Sequence, residues 1–546
     1  PKLLLIQPPV EDFYQTDIRL QPIGLAYLKA AVKKHLPEFE VIIRDYHHGW
    51  GRKTIPLPKE LAYLKEYYAQ VDASPFSTFH QYYHFGASFE EIAQDVNGIN
   101  PDIVGISSLF SPYYREVLRT ARAVKNSCPQ ATVIVGGSHV SCAPEMMLED
   151  PDIDFIIRGE GERPLVEFLK AWKAGAGFES VPNLGYKKAG RLIHNPVKDN
   201  YPLAEIPAPD LSDCIPEKYL FEGRPICMIL TSRGCPHQCS FCSVHRTFGK
   251  SYRRRNPEAV VAEMEQRYAA GFRVFDFEDD NLTFDRTGIQ ELCRLIMQTF
   301  PDRDIQLLAM NGISYKNLDE ETLQLMQSAG FTHLNLALVS ADQRMLNSLN
   351  RPHRVAQFSE VVRIARDLGF QITAYQILGL PGETLSGMID TMQLLAGEPV
   401  LIGVSIFYLT PGSPIAQSFP EMTEEDIFRS RSTAMAMETE HCQRGDLFTL
   451  FIIARIINFL KGVKIEGRSA GLLELQAGGL NASDKSRWGF ALLSRLLEEE
   501  TLYTEKGREV TQFDVKLFQK IWFGLTQICT QEGKVIVLSR QDEYAH

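Results

Sequence analysis

Cysteine is scarce in this chain, whose 546 residues contain 10 cysteines. A disulfide scaffold needs a much higher density, so that class of secreted protein is excluded, and we expect a reducing, cytoplasmic location. Seven of the cysteines are scattered, whereas Cys235, Cys239 and Cys242 crowd into one short segment. This segment is the first candidate for chemistry.

An excess of basic charge and long apolar runs are also lacking. The chain has 57 Lys and Arg against 68 Asp and Glu, a net charge of −11, which argues against nucleic acid as a partner. The longest apolar helical pattern, 447–463, contains Arg455 and Lys461 and is shorter than the roughly 20 residues of a membrane span. The apolar run near the first residue is stopped by prolines and is too brief for a signal peptide. We therefore expect no transmembrane segment.

The sequence does contain a regular alternation of short apolar strands and amphipathic helices, which predicts an α/β protein. Residues 1–195 fit a doubly wound, Rossmann-like domain, a fold that binds ligands beyond the carboxyl ends of its strands. A Tyr- and Phe-rich insertion at 50–89 interrupts the pattern, and we interpret it as a packed helical excursion. The predicted strands of this domain are 3–7, 39–45, 103–107, 132–135 and 155–158.

A proline-rich stretch at 196–222 predicts an extended linker to a second α/β unit. Residues 223–415 carry six more strand patterns with helices between them, which is typical of a partial (β/α)6 barrel with its site at the carboxyl ends of the strands. Residues 416–546 are predicted to form a mostly helical domain. The six predicted strands are 226–231, 273–278, 305–310, 333–338, 372–378 and 403–409.

The three crowded cysteines follow the first strand of the second array. Three thiolates from one loop can hold three corners of a four-iron cluster, which leaves the fourth iron open for a substrate or cofactor. A zinc site stays open as an alternative, with His237 or His245 as the fourth ligand. A redox pair formed by Cys239 and Cys242 alone would leave Cys235 without a role.

The spacing Cys-x3-Cys-x-Phe-Cys resembles that of the radical S-adenosylmethionine (SAM) superfamily, including the aromatic residue before the third cysteine. Acidic residues after the second strand, a Gly-Leu-Pro-Gly-Glu-Thr turn after the fifth and a Pro-Gly-Ser-Pro turn after the sixth are also similar to that family. The resemblance implies a [4Fe-4S] cluster on the three cysteines and a bound SAM. The SAM contacts expected from it are Phe241, Glu278, Asp279, Ser340, Arg254 and Gly379.

One position departs from the family pattern. Relatives often carry a glutamate on the fourth strand that contacts the SAM ribose, and Val339 occupies that position here. Ribose binding is therefore expected to differ. Arg254 lies in a basic run that could pair with the SAM carboxylate, and a solvated surface is an equally good interpretation of that run.

The first domain resembles the cobalamin-binding domain that commonly precedes such a radical SAM core. Gly136 and Gly137 would let a bulky nucleotide tail approach the backbone, and small hydroxyl residues would hydrogen-bond the corrin amides. The histidine motif that usually ligates cobalt is absent, which leaves the lower axial ligand open; His47, in the nearest match, is interpreted as an ordinary strand-end residue. The cobalamin contacts expected from the resemblance are Gly24, Ser107, Ser108, Leu109, Gly136, Gly137, His139, Gly159 and Glu160.

Together these resemblances imply a B12-dependent radical SAM enzyme that works anaerobically with an external electron donor of the flavodoxin or ferredoxin type. The commonest chemistry of that class is methylation of an unactivated carbon through a 5′-deoxyadenosyl radical and methylcobalamin. A cyclase or rearranging enzyme is the alternative, and a non-catalytic cobalamin sensor is a weaker one. The expected substrate is a small or lipid-like molecule. The insertion and the apolar helix 447–460 could line its pocket, although ordinary core packing is the interpretation we favour.

Overall fold

The computed structural model describes residues 1–16, 21–198, 201–302, 304–478 and 484–538. Its first region is built on a seven-stranded sheet of order β10-β9-β8-β7-β6-β1-β3. The elements of this region are β1 Lys2–Gln7, β2 Val10–Asp12, α1 Ile23–His35, β3 Glu40–Asp45, β4 Arg52–Thr54, β5 Tyr83–Phe85, α2 Phe89–Ile99, β6 Ile103–Ser107, α3 Tyr114–Ser127, β7 Thr132–Gly136, α4 Ser138–Cys142, α5 Pro144–Glu149, β8 Phe155–Ile157, α6 Glu162–Ala174, β9 Leu184–Lys188 and β10 Arg191–His194.

Five strands of this sheet are parallel, and β1 lies between β3 and β6. The strand order therefore reverses between β1 and β6, which is the point at which doubly wound sheets bind ligands. Leu3 to Ile6 are almost wholly buried because helices cover both faces. The predicted doubly wound fold is confirmed. The antiparallel hairpin β9–β10, which extends the sheet by two strands, was not predicted.

The insertion at 50–89 is not the helical excursion that its composition suggested. β4 and β5 form a small antiparallel sheet with β2, and a 3₁₀ helix spans Lys59–Glu66. Prolines at 56, 58 and 75 deprive this stretch of the backbone donors that a long helix needs. Its aromatic side chains pack against the C-terminal region instead, as in the Phe76–Phe459 ring contact at 5.6 Å.

The second region holds six parallel strands, β12, β15, β16, β17, β18 and β19, which confirms the partial barrel. Parallel bridges from Leu307 to Phe331 and from Ile313 to Leu336 join its two halves. The elements are β11 Leu220–Phe221, β12 Arg224–Ile229, β13 Ser232–Arg233, α7 His245–Phe248, β14 Arg253–Arg254, α8 Pro257–Ala269, β15 Val274–Phe277, α9 Arg286–Thr299, β16 Gln306–Leu308, α10 Glu320–Ala329, β17 His333–Val339, α11 Gln343–Ser348, α12 Val355–Asp367, β18 Gln371–Leu378, α13 Leu385–Gly397 and β19 Leu401–Ile406.

The described part of the proline-rich stretch lies along α1 as a strap. Asp210 pairs with Lys33 at 2.7 Å, and Asp213 pairs with Lys29 at 2.7 Å. The backbone N–H of Asp210 also donates to the carbonyl of Ala26 at 3.0 Å. These contacts fix the connection between the two α/β regions.

The C-terminal region is mostly helical, as predicted, and adds a small sheet of order β20-β22-β21. Its elements are α14 Glu424–Phe428, α15 Arg444–Lys461, β20 Ser469–Gly471, α16 Leu472–Gly478, α17 Asp484–Glu499, α18 Val515–Trp522, β21 Gln527–Cys529 and β22 Val535–Val537. The apolar pattern at 447–460 forms α15, which packs against β19. Among the described residues, no helix has the length and apolar character needed to cross a membrane.

Candidate functional site

The cysteine segment forms a loop at the carboxyl end of β12, where the parallel-array rule predicted a site. Gly234 opens the loop at φ +80°, and a Cβ there would lie 2.3 Å from the carbonyl oxygen of Ser251. Only glycine fits this turn without a shift of the backbone. The Gly234 N–H donates to the Asp280 carboxylate at 2.8 Å, so the residue after Asp279 holds the loop entrance.

Backbone hydrogen bonds fix the middle of the loop between two distant parts of the barrel. The Ser240 N–H donates to the carbonyl of Leu349 at 2.9 Å, and the Ser240 carbonyl accepts from Ile415 N–H at 2.8 Å. Asn281 donates from Nδ2 to the Cys235 sulfur at 3.5 Å. All three cysteines are free thiols, so they are available as ligands.

The zinc alternative finds no ligand set in this geometry. Within the described ranges, no three His, Cys, Asp or Glu side chains are grouped to hold a single metal ion. The ring of His237 lies against Phe284 and His353, with ring centroids 5.7 and 5.9 Å away. Three thiols on one loop are the ligand set expected for three corners of an iron–sulfur cluster, whereas a closed zinc site needs a fourth ligand.

The acidic residues after β15 differ in their burial and in their hydrogen bonds. Asp279 is buried, and its carboxylate accepts from the N–H and hydroxyl of Thr231 and from the Ser232 hydroxyl. Glu278 is half-buried, and its backbone N–H donates to the carbonyl of Ile229 at 3.0 Å. Asp279 thus organises the start of the cysteine loop, and direct SAM contacts for both residues remain predictions.

The other predicted SAM contacts occupy separate places. Arg254 pairs with Asp285 at 3.4 Å and with Glu291 at 3.1 Å, partly exposed, as expected for a solvated surface. Phe241 packs beside Val339 in a small apolar cluster. Gly379 adopts φ +78° in the turn after β18.

Val339 ends β17 at a register shift and has φ +76°, which is rare for a β-branched residue. Its side chain is buried in the same apolar cluster, and a valine side chain has no polar atom to hydrogen-bond a ribose. The next residue, Ser340, donates to Glu383 at 2.7 Å. Burial raises the pKa of Glu383 to about 7, and its second carboxylate oxygen is buried without a hydrogen-bond partner. Sequence reasoning placed Glu383 in a turn motif and assigned it no role.

In the first region, the carboxyl ends of β6 and β7 form a narrow cradle. Gly137 has φ +123°, and a Cβ there would lie 2.5 Å from the Ser108 carbonyl oxygen. The Ser108 hydroxyl and His139 Nε2 are both buried without a hydrogen-bond partner. Burial lowers the pKa of His139 to about 4, so its imidazole is neutral at pH 7. Buried polar atoms without partners are rare, and here they fit a ligand rich in amides.

Apolar side chains stand beside this cradle. Leu109 and Phe110 each expose 41% of their surface, which is unusual for large apolar residues directly after a buried strand. Ser107 and Gly136 pair across the two strand ends. Cobalamin contacts for Ser107, Leu109 and Gly136 remain predictions.

Three predicted cobalamin contacts lie elsewhere. Glu160 is fully buried between Arg233 and Arg253, both at 2.9 Å, so it joins the first region to the barrel. Gly24 lies in α1 with open space where a Cβ would stand. Gly159 faces the barrel, with Thr247 O 3.4 Å from its would-be Cβ. Cobalamin contacts for these three residues remain predictions.

Both α/β regions match models of known protein families. Residues 58–169 match the family model for the B12 binding domain, and residues 229–395 match that for the radical SAM superfamily. The chain belongs to the cobalamin-dependent radical SAM family. It therefore carries domains for a [4Fe-4S] cluster, SAM and cobalamin, in the order predicted.

Three curated relatives cover most of the chain. An uncharacterized methyltransferase, PH0819 of Pyrococcus horikoshii, is 29% identical over 392 residues, 70% of this chain and 75% of that protein. Cytidylyl-2-hydroxyethylphosphonate methyltransferase of Streptomyces wedmorensis is 27% identical over 478 residues, 78% of this chain and 84% of its own. The anaerobic magnesium-protoporphyrin IX monomethyl ester cyclase of Cereibacter sphaeroides is 28% identical over 374 residues, which cover 66% of this chain and 60% of that protein.

The fold has solved counterparts. The radical SAM methyltransferase TsrM from Kitasatospora setae, with cobalamin and a [4Fe-4S] cluster bound, aligns with TM-score 0.58 at 18% identity. The match covers 76% of this chain and 73% of that chain. At this identity the likeness establishes the shared architecture.

Proposed function

We propose that this protein is a cobalamin-dependent radical SAM methyltransferase acting on an unactivated carbon of a small molecule. The observation that carries this proposal is the direct contact between the two edges that we propose hold the cofactors. The hydroxyl of Thr247, five residues beyond the last cysteine, lies 3.3 Å from the hydroxyl of Ser138, directly after the Gly136–Gly137 pair. Groups held at these two edges would face the same interior space.

The chain's own residues perform the holding and positioning. Cys235, Cys239 and Cys242 would hold the cluster, and the orphan Ser108 hydroxyl and His139 Nε2 would bind the amide rim of cobalamin. When bound, the cluster with SAM supplies hydrogen abstraction, and cobalamin supplies the methyl group. Buried ion pairs between Arg233 and the carboxylates of Glu160 and Glu162 keep the two edges in register. Fixed geometry of this kind is the main contribution a protein makes to cofactor chemistry.

The relatives support methyl transfer over the alternatives. Two of the three described above are named methyltransferases and match over the longest stretches of this chain. The similarity to a cyclase keeps ring formation as the second candidate. We also propose an external electron donor of the flavodoxin or ferredoxin type and anaerobic operation. We propose a cytoplasmic location as well, and the ten free thiols of the chain support that location.

The test is reconstitution under anaerobic conditions with iron, sulfide and hydroxocobalamin, followed by incubation with SAM and a strong reductant. We expect both 5′-deoxyadenosine and S-adenosylhomocysteine, with deoxyadenosine lost in Cys235→Ala and kept in Cys293→Ala, which removes a buried thiol of α9, outside the cysteine loop. 5′-Deoxyadenosine without S-adenosylhomocysteine would support cyclisation. Failure to bind either cobalamin or SAM would refute the proposal.

A further inference from the structure

A cavity of about 210 Å³ lies between β19, α15 and the insertion at 50–89. The insertion supplies Tyr68 and Phe79, and α15 supplies Phe448 and Phe451. The two apolar segments that sequence analysis singled out therefore meet around an internal space as well as packing with each other. The remaining lining residues are Tyr14, Val404, Ile406, Ser432, Thr433 and Met435.

Five of the ten residues that line this cavity are aromatic, and none is charged. Phe79 contacts three of the other aromatic side chains in the wall. Its ring centroid lies 5.5 Å from that of Tyr68, 5.9 Å from that of Phe451 and 6.0 Å from that of Tyr14. No lysine, arginine, aspartate or glutamate lines it. A dry apolar cavity of roughly 150 Å³ accepts benzene, so this space accommodates one ring with a few further atoms. A fused multi-ring lipid or a tetrapyrrole is too large for it, and a polyanion finds no opposite charge.

The cavity also reaches the free edge of a strand. In a parallel sheet the N–H and C=O of one residue point to the same neighbouring strand, and those of the next residue point away. The side chain of Asn458 satisfies both backbone groups of Ile402, at 2.8 Å each, on the side away from β18. The N–H of Ile406 donates to the Ser432 hydroxyl at 2.9 Å on that same side.

Val404 lies between these two residues and shares their orientation. Its N–H and C=O therefore face the free edge of β19, where the cavity lies. Outside the β18–β19 ladder, no group in the part of the chain that the structure describes hydrogen-bonds either of them. Polar side chains bind both backbone groups of Ile402 and the N–H of Ile406, whereas both backbone groups of Val404 are left open at this edge.

The elements that line the cavity connect to both halves of the proposed catalytic site through hydrogen bonds and ring contacts. β19 is the last strand of the partial barrel, and the turn that follows it bonds to the cysteine loop through Arg246 and the Gly412 carbonyl at 3.0 Å. On the other side, the Thr433 hydroxyl donates to Asp12, which also accepts from Tyr113 at 2.7 Å. The ring of Tyr113 lies 6.0 Å from that of Phe110 beside the cobalamin cradle.

We propose that this cavity binds the substrate through a single apolar ring, with a neighbouring carboxamide or similar donor–acceptor group paired to the backbone of Val404. The ring would stack among Phe79, Phe448 and Phe451, and the amide would extend the β19 edge as one more hydrogen-bonded unit. The identity of this ligand as the substrate rests on the proposed function, whereas the binding site itself does not.

The experiment measures binding of two probes to the full chain, reconstituted with iron and sulfide, by saturation-transfer NMR titration. Benzamide carries the ring with a donor and an acceptor, and acetophenone has the same shape without the donor. We expect benzamide to bind about fivefold more tightly, the effect of about one hydrogen bond. Val404→Phe fills the cavity and should weaken benzamide at least tenfold. Val515→Phe, at a similarly half-buried valine outside the cavity, should leave binding unchanged.

Binding of benzamide that persists in Val404→Phe, or that is absent from the parent chain, would overturn the site. Acetophenone binding as tightly as benzamide would overturn the role of the Val404 backbone. Loss of binding in Val515→Phe as well would show that any bulky substitution disturbs the fold, and would also count against the site. Because no product is measured, these outcomes are separate from a failure of methyl transfer.

Discussion

At the scale of single residues, Gly137 occupies a position that requires glycine, whereas Gly24 occupies one that does not. Sequence analysis assigned both to cobalamin. Gly137 needs its positive φ and its close approach to Ser108, whereas Gly24 lies in a helix with free space around it. We expect Gly137→Ala to lower cobalamin affinity at least tenfold and to destabilise the fold by about 1–3 kcal/mol, because the backbone must move. The measurement is hydroxocobalamin titration by absorbance, together with urea unfolding.

Gly24→Ala is the matched control for that prediction. Alanine is the better helix former by about 0.5–1 kcal/mol, so this variant should be as stable as the parent chain or more stable. Equal losses of cobalamin affinity in both variants would contradict the distinction. Full affinity in Gly137→Ala would show that the cradle tolerates a wider separation of β6 and β7 than the structure has.

At the scale of elements, Asn458 supplies hydrogen bonds to the edge of β19 that faces away from β18. It donates to the carbonyl of Ile402 and accepts from its N–H, so it replaces a missing seventh strand at that point. Ile402 is buried, and removing the amide leaves two backbone groups without partners. We expect Asn458→Ala to reduce the free energy of unfolding by about 2–3 kcal/mol in urea denaturation. Asn347→Ala, an exposed amide on α11, should change it by less than about 0.5 kcal/mol.

The elements also show what could be predicted from the sequence. Runs such as Leu3–Ile6 are buried on both faces, so their apolar character alone indicated parallel strands, and every predicted strand of both arrays formed. The hairpin β9–β10 has lysines and an arginine on its exposed residues and lacked such a signal. The cysteine loop was predictable because its ligands are adjacent in sequence. Arg233 was not, because its partners Glu160 and Glu162 lie some seventy residues earlier and only the fold brings them together.

At the scale of the whole molecule, the buried Arg431 joins the C-terminal region to the first domain. It pairs with Asp12 at 3.2 Å and donates to the carbonyls of Glu11 and Pro112 at 2.8 Å each. Asp12 is fully buried and also accepts from Tyr113 and Thr433. A charge at this depth is tolerated because its partners surround it, so the network couples three distant segments into one unit.

Removing one partner should therefore cost more than removing both. We expect Arg431→Met to destabilise the protein by about 3–5 kcal/mol, because Asp12 is left charged and buried. Asp12→Asn combined with Arg431→Met should recover a large part of that loss, since the amide still accepts from Tyr113 without an unpaired charge. The measurement is a double-mutant cycle in urea, with Arg344→Met in an exposed ion pair as the control. Strictly additive losses would contradict the coupling and would imply that the first domain and the C-terminal region are held together by apolar packing alone.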